Sequence, residues 1–171
     1  MTDSTYNILS ILIQAVTLCI IFWAATSALK QFRAARHNTW SQGFKYCSEI
    51  LQDNETVKSR GKAFELAEKN KPYDQYTKED KEVLDQVCRA YDLIGMMAQW
   101  GMVPKEIIID SWCDSIRRLW PICEPRVKER RIKQKADEFW DDFEWLYNAA
   151  KEFDTNRMHQ MKKVRSLQSI D

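Results

Sequence analysis

Glycine and proline are scarce, four of each in 171 residues. Folds built from strands and tight turns need more of such breakers, so the composition points to an all-α chain. Histidine is scarcer still: His37 and His159 stand alone, and no HExxH, ExxH or CxxC spacing occurs. The ligand sets of zinc and di-iron carboxylate sites are therefore missing, and neither a metal, a cofactor nor an enzymatic activity is expected. The five cysteines (Cys19, Cys47, Cys88, Cys113, Cys123) are odd in number. One of them lies within an apolar run, which fits reduced thiols in a cytosolic compartment better than a disulfide framework. A buried thiol is also a commoner use of Cys113 or Cys123 than a pairing with histidine. A formal charge of +1 favours neither nucleic acid nor an acidic substrate, so only local patches of charge carry information.

What the chain does have is one long apolar stretch. From Ile8 to Ala28 about 21 residues carry no charge, and a helix of that length spans roughly 30 Å, the hydrocarbon thickness of a bilayer. Ten of them are Leu, Ile, Val or Phe, a gain of roughly 3 to 6 kcal/mol on the insertion scale before Gln14 is charged against it. A secretion signal would open with basic residues, and Met1 to Asn7 has none while holding Asp3. A buried core helix would show a polar face, whereas apolar residues here go all the way round. The stretch is expected to be a transmembrane anchor. Lys30, Arg33 and Arg36 follow it, with Lys45 further on, so the C-terminal bulk is expected in the cytoplasm and the N-terminus outside, in a cell inner membrane. Trp23 sits at the basic end as an interfacial aromatic, with Tyr6 about 25 Å away along the helix. Gln14 and the small-xxx-small pair Ala24 and Ala28 are candidates for contact with another membrane helix.

Beyond the anchor, Phe32, Trp40, Phe44, Cys47 and Leu51 keep helical spacing, so the anchor helix is expected to run on toward Leu51. A second helix is expected from Glu55 to Lys69. A third, N-capped by Thr77 with Asp80, carries the stripe Leu84, Val87, Cys88, Tyr91, Ile94 and Ala98. Gly101 ends it and Pro104 opens the next, with Ile108, Trp112, Ile116 and Leu119 on one side. Pro121 and Pro125 are expected to close that element and open a last long helix lined by Phe139, Phe143, Leu146, Tyr147 and Ala150. The organisation is then an N-terminal segment and anchor (1–29), a cytoplasmic bundle of about four to five helices (30–153) and a basic tail (154–171). In the tail, apolar residues recur strictly every three positions from Met158 to Ile170 and make no clean helical stripe.

The stretches YDLIGMMAQWGMVPKEIIIDSWCDSIRRLWPICEPRVKERR (Tyr91 to Arg131) and FWDDFEWLYN (Phe139 to Asn148) resemble a family of short bacterial proteins catalogued only as a domain of unknown function. The resemblance rests on the Gly101 turn, on Trp120, Pro121 and Ile122, on Arg126, and on Asp142 to Leu146. It implies an N-terminal membrane helix and a small helical cytoplasmic domain, with no chemistry to carry over. The chain has Gly95 and Met96 where that family would carry a carboxylate on the third helix.

Two further groups of side chains are candidate binding surfaces. Arg126, Lys128, Arg130, Arg131, Lys133 and Lys135 fall in the first turns of the expected last helix, where the helix dipole disfavours positive charge. Anionic lipid, a protein partner or neighbouring carboxylates would offset that cost. Trp140 and Trp145 flank the aromatic stripe and are candidate interface residues. The carboxylates Asp137, Glu138, Asp141, Asp142 and Glu144 read as a solvated face. The expected function is a membrane-anchored binding or assembly module, meeting membrane lipid, a protein partner or further copies of itself, with no nucleic acid. The alternative is a membrane-disrupting effector whose anchors assemble into a pore.

Overall fold

The computed structural model describes the backbone of residues 3–153 and the side chains of residues 14–153. The 154–171 tail expected to fray lies outside the described residues. Among the described residues the fold is all-α, without strands. The elements are α1 (Asp3–Gln52), α2 (Asn54–Glu68), a 3-10 turn (Tyr73–Gln75), α3 (Lys78–Gln99) and α4 (Lys105–Gln134), then α5 from 141 to 153. The chain divides into two compact units, Met1–Thr39 and Trp40–Asp171.

In the first unit α1 is a single helix whose apolar side chains are exposed: Val16, Leu18, Ile20, Ile21, Phe22 and Trp23 keep 58–73% of their surface. It contains a stretch long and apolar enough, by length and composition, to cross a membrane.

The second unit has a core because each of its helices presents an apolar face to the others. α2 starts on Asp53, whose carboxylate accepts from the Glu55 (3.0 Å) and Thr56 (3.4 Å) amides. α3 starts on a full capping box: the Thr77 hydroxyl accepts from the Asp80 amide at 3.1 Å, and the Asp80 carboxylate accepts from the Thr77 amide at 3.0 Å. All six residues of the expected α3 stripe are buried, with Ile108, Ile116 and Leu119 of α4 and Phe143, Leu146 and Ala150 of α5. Cys47 and Leu51 close the same core from the end of α1.

Two expectations fail. Pro121 and Pro125 do not separate elements, since α4 runs through both. The irregular backbone lies instead at Trp112 (φ −131°, ψ 16°). A proline inside a helix costs about 3 kcal/mol, yet Ile116, Leu119, Trp120, Cys123 and Val127 are all buried along this helix. Each large buried side chain contributes about 1.5–3 kcal/mol, so packing holds the helix across the prolines. The break the sequence hid comes later, in KADEFW, which contains neither glycine nor proline. There Lys135 (φ 51°) ends α4 in the left-handed region and Trp140 (φ 58°) precedes α5. That conformation is unfavourable for bulky residues. It is held by burial of Trp140, by its ring contact with Phe139 at 4.4 Å, and by the Arg131 Nε donating to the Phe139 carbonyl at 2.9 Å.

Two glycines permit close approach between elements. A Cβ on Gly95 would sit 2.3 Å from the Asp142 carbonyl oxygen, and one on Gly43 would sit 2.5 Å from that of Met102. Gly95 thus lets the start of α5 press onto α3.

Candidate functional site

On α1 Gln14, Trp23, Ala24, Ala28, Lys30, Arg33 and Arg36 are all exposed, while the Tyr6 side chain lies outside the described residues. At 100° per residue, Gln14, Ala24 and Ala28 share an arc of about 80°, whereas Trp23 points about 180° from Gln14. The first three therefore share one side of the helix. The three basic residues fall within an arc of about 120° on a different side from that group.

The basic block lies at the opposite pole of a helix from the one expected. Because α4 runs to Gln134, Arg126 to Lys135 occupy its last turns, where the dipole favours positive charge, and the cost anticipated from the sequence does not arise. The block also splits into inward and outward members. Arg126 is 9% exposed and clasps the buried Asp85 of α3, Nε to Oδ1 at 2.6 Å and Nη2 to Oδ2 at 2.8 Å. Its third nitrogen reaches Glu129 at 2.6 Å. Arg130 donates to the same Asp85 carboxylate. Arg131 reaches Glu144 at 2.8 Å in addition to the Phe139 carbonyl. Lys128, Lys133 and Lys135 are exposed, with Lys128 pairing with Glu124 at 2.8 Å.

Glu129 extends this centre toward the 3-10 turn. It accepts from the Tyr73 hydroxyl and, at 3.1 Å, from Lys81, whose ammonium also lies 4.9 Å above the Tyr73 ring. The Tyr73 hydrogen bond, with Arg126 and Lys81 beside it, draws the Glu129 carboxyl down to about 2. Burial and the Glu129 carboxylate push the Tyr73 phenol up to about 12. For Asp85, burial acts to raise the carboxyl, but the Arg126 and Arg130 guanidiniums outweigh it and hold it below the ordinary range. An ionised, hydrogen-bonded centre thus ties α3, α4 and the Tyr73 turn together. Its groups already hold one another, with the Asp85 and Glu129 carboxyls drawn down and the Tyr73 phenol pushed up, away from neutral pH.

A second cluster of carboxylates lies where α5 meets α3. Single oxygens of Asp92, Asp141 and Asp142 come within 4.8 Å of one another. Asp92 accepts from the Phe143 amide at 3.2 Å, so it caps α5, and Asp142 accepts from Gln99. Burial, with Asp142 and Asp141 adding repulsion, pushes the Asp92 carboxyl up to about 6. The expected solvated face is therefore divided: Glu144 binds Arg131, Asp142 touches α3, and Asp137, Glu138 and Asp141 face solvent.

Trp140 is 7% exposed and belongs to the core, and Trp145 is half-buried against it. The exposed indole of the second unit is Trp100, at 70%. It sits beside Gly101, whose positive φ of 71° makes the turn into α4.

Sequence reasoning also passed over the cations that line a cavity. Between α4 and α5 lies a groove of about 330 Å³ lined by Asp114, Arg117, Arg118, Tyr147 and Lys151. A second groove, of about 350 Å³, is lined by Tyr73, Tyr76, Pro121 and Pro125 among others. Both fall at the small end of ligand-site volumes. The signal for the Asp85 centre was present but faint: a carboxylate beside the apolar stripe of one helix and an arginine beside that of another. For the α4/α5 groove the sequence offered only the pair Arg117-Arg118, with nothing to place Lys151 near it.

No curated protein and no solved structure matches the chain. The all-α bundle behind an apolar N-terminal helix coincides in extent with one match to a family: the family described as Domain of unknown function (DUF4760) covers residues 5–150, and the chain belongs to it.

Proposed function

We propose that this protein is a single-pass bacterial inner-membrane protein, N-terminus out, whose cytoplasmic helical bundle is a binding or assembly module for a partner or for further copies of itself. The observation that carries the reading is the exposure of α1. Six consecutive or near-consecutive large apolar residues from Val16 to Trp23 stay 58–73% exposed, which in water would be an uncompensated apolar surface. A core helix would bury that face. Lys30, Arg33 and Arg36 at the C-terminal end of the run orient it by the positive-inside rule. Tethering raises the effective concentration of a partner or of a second copy without requiring a tight interface. Gln14, Ala24 and Ala28 share the side of α1 suited to helix contact. Lys128, Lys133 and Lys135, the outward members of the basic block, are the ones left to meet lipid or a partner.

The test is fractionation of the full-length chain followed by cross-linking in isolated membranes and mass measurement. The chain is expected to resist an alkaline carbonate wash, to need detergent for release, and to yield a defined stoichiometry. Recovery of the untreated chain in the soluble fraction would end this reading.

A further inference from the structure

We propose that Cys88 and Cys123 form a reversible dithiol site, which a small peroxide closes to a disulfide that locks α3 to α4. The site lies within the bundle and does not depend on whether α1 crosses a bilayer.

The two thiols are brought together by the register of the helices. Asp85 of α3 is clasped by Arg126 of α4, and Lys81, one turn before Asp85, reaches Glu129, one turn after Arg126, at 3.1 Å. On the other side of the clasp, Tyr91 and Trp120 both pack on Phe143, with ring centroids 5.1 Å away. α3 and α4 therefore run antiparallel, and each step along one is matched by an equal step back along the other. Cys88 lies three residues after Asp85 and Cys123 three residues before Arg126, so the same register sets them face to face. Their thiols hydrogen-bond to each other, and both side chains are fully buried. The remaining cysteines are placed differently. Cys19 is exposed on α1, the Cys47 thiol donates to the Met97 sulfur at 3.8 Å, and the Cys113 thiol donates to the Ala150 carbonyl at 3.6 Å.

The reaction follows from contact and burial together. Burial pushes the Cys88 thiol well up, and the thiolate is the reactive form. The resting pair is thus protonated and slow, and it reacts during brief openings of the α3–α4 seam with an oxidant small and uncharged enough to enter. Hydrogen peroxide meets both conditions. A thiolate attacks one peroxide oxygen, the O–O bond breaks, and the departing hydroxide takes up the proton released by the thiol and leaves as water. The sulfenic acid so formed is captured by the second thiol, already in contact with it, before it can oxidise further. In that step the S–S bond forms, the S–O bond breaks and a second water leaves. The thiol pair has then lost two electrons and two protons, and the peroxide has become two waters. A reducing thiol pool reverses the change, which is the pattern of a redox-sensing disulfide rather than a structural one.

The experiment exposes the full-length chain in neutral detergent to hydrogen peroxide, alkylates the remaining thiols in denaturant and digests with trypsin. The peptides Glu82–Arg89 and Leu119–Arg126 carry one cysteine each. They are expected as one linked species by mass, lighter than the two together by two hydrogen atoms and split by dithiothreitol. The urea midpoint of the chain should rise with peroxide and return with dithiothreitol, because the cross-link constrains the unfolded chain. Cys88→Ala and Cys123→Ala should each remove both responses, whereas Cys19→Ala, on the exposed helix, should leave them unchanged. The linked species is measured on the unsubstituted chain, so the linkage is decided even where a variant folds poorly. Recovery of both peptides in alkylated form, linkage of either cysteine to a different one, or a peroxide-dependent rise that survives in the Cys123→Ala protein would each overturn the assignment.

Discussion

Arg126 holds Asp85 by two parallel hydrogen bonds of 2.6 and 2.8 Å between α4 and α3, with both side chains at least nine-tenths buried. Desolvating two charges is costly, and a bidentate pair with further donors and acceptors around it offsets most of that cost rather than adding a large surplus. Removing one partner leaves the other charge buried and unmatched. Arg126→Met is therefore expected to destabilise the bundle by about 3–5 kcal/mol, and Asp85→Leu by a similar amount because Arg126 and Arg130 both lose their acceptor. The double variant should cost clearly less than the sum of the two singles. Urea unfolding of the full-length chain in neutral detergent checks this, and strict additivity would show that the pair does not act as a unit.

The two carboxylate clusters pull the pH dependence of stability in opposite directions. Glu129 is lowered from 4.5 to about 2, so the stability it contributes is present above about pH 4.5 and lost as the pH falls toward 2. Asp92 is raised from 3.8 to about 6, so its contribution is full below about pH 4 and lost as the pH rises through 6. The two contributions together are expected to be largest near pH 4 to 4.5, and to fall on either side. Asp92→Asn keeps an oxygen for the Phe143 amide and removes the charge. It should flatten the decline between about pH 4 and 6, leaving a gain at neutrality on the order of 1–2 kcal/mol. Unfolding midpoints measured across that range in both proteins decide it, and parallel curves would sink the assignment to Asp92.

Three helical glycines should answer differently to alanine. Gly95 and Gly43 each face a backbone carbonyl, at 2.3 and 2.5 Å from a would-be Cβ. Neither neighbour can move without displacing its segment, so Gly95→Ala and Gly43→Ala are expected to destabilise by at least 1–3 kcal/mol. Gly61, inside α2, has nothing within 4 Å of such an atom, and Gly61→Ala should stabilise by about 0.5–1 kcal/mol. Thermal unfolding of the three variants gives the ranking, and a stabilised Gly95→Ala protein would contradict the close packing of α5 on α3.

The contrast between Trp140 and Trp100 shows where the sequence was readable and where it was not. The stripe of α3 and the Thr77 cap follow from local rules, spacing and hydrogen-bonding side chains, and both are found as read. From the sequence Trp140 flanks the aromatic stripe and is a candidate interface residue, because KADEFWDD continues a helical pattern without a breaker. The turn at Lys135 and Trp140 is imposed by tertiary contacts, burial of the indole and the grip of Arg131 on the Phe139 carbonyl, which no local rule contains. The prolines misled in the opposite sense, since packing along α4 outweighs their local cost. The α4/α5 groove was illegible because its residues lie on two helices whose alignment only the fold defines. Trp140→Ala is accordingly expected to cost about 3–5 kcal/mol, whereas Trp100→Ala, at an exposed position, should change stability by no more than about 0.5 kcal/mol. Acrylamide quenching of single-tryptophan proteins provides the same distinction without unfolding.

The anchor assignment makes a quantitative prediction about α1 that leaves the bundle untouched. Ten Leu, Ile, Val and Phe residues supply an insertion gain of roughly 3 to 6 kcal/mol, and an arginine at the centre of a span costs about 2.5–3.5 kcal/mol. One arginine at Ile21 should therefore leave insertion marginal. Two, Leu18→Arg with Ile21→Arg, exceed the gain and should release the chain from carbonate-washed membranes. Because both residues are exposed and lie outside the second unit, tryptophan circular dichroism of the bundle should stay native in the doubly substituted chain. Retention of that chain in the membrane would mean that the apolar run is not what holds it there.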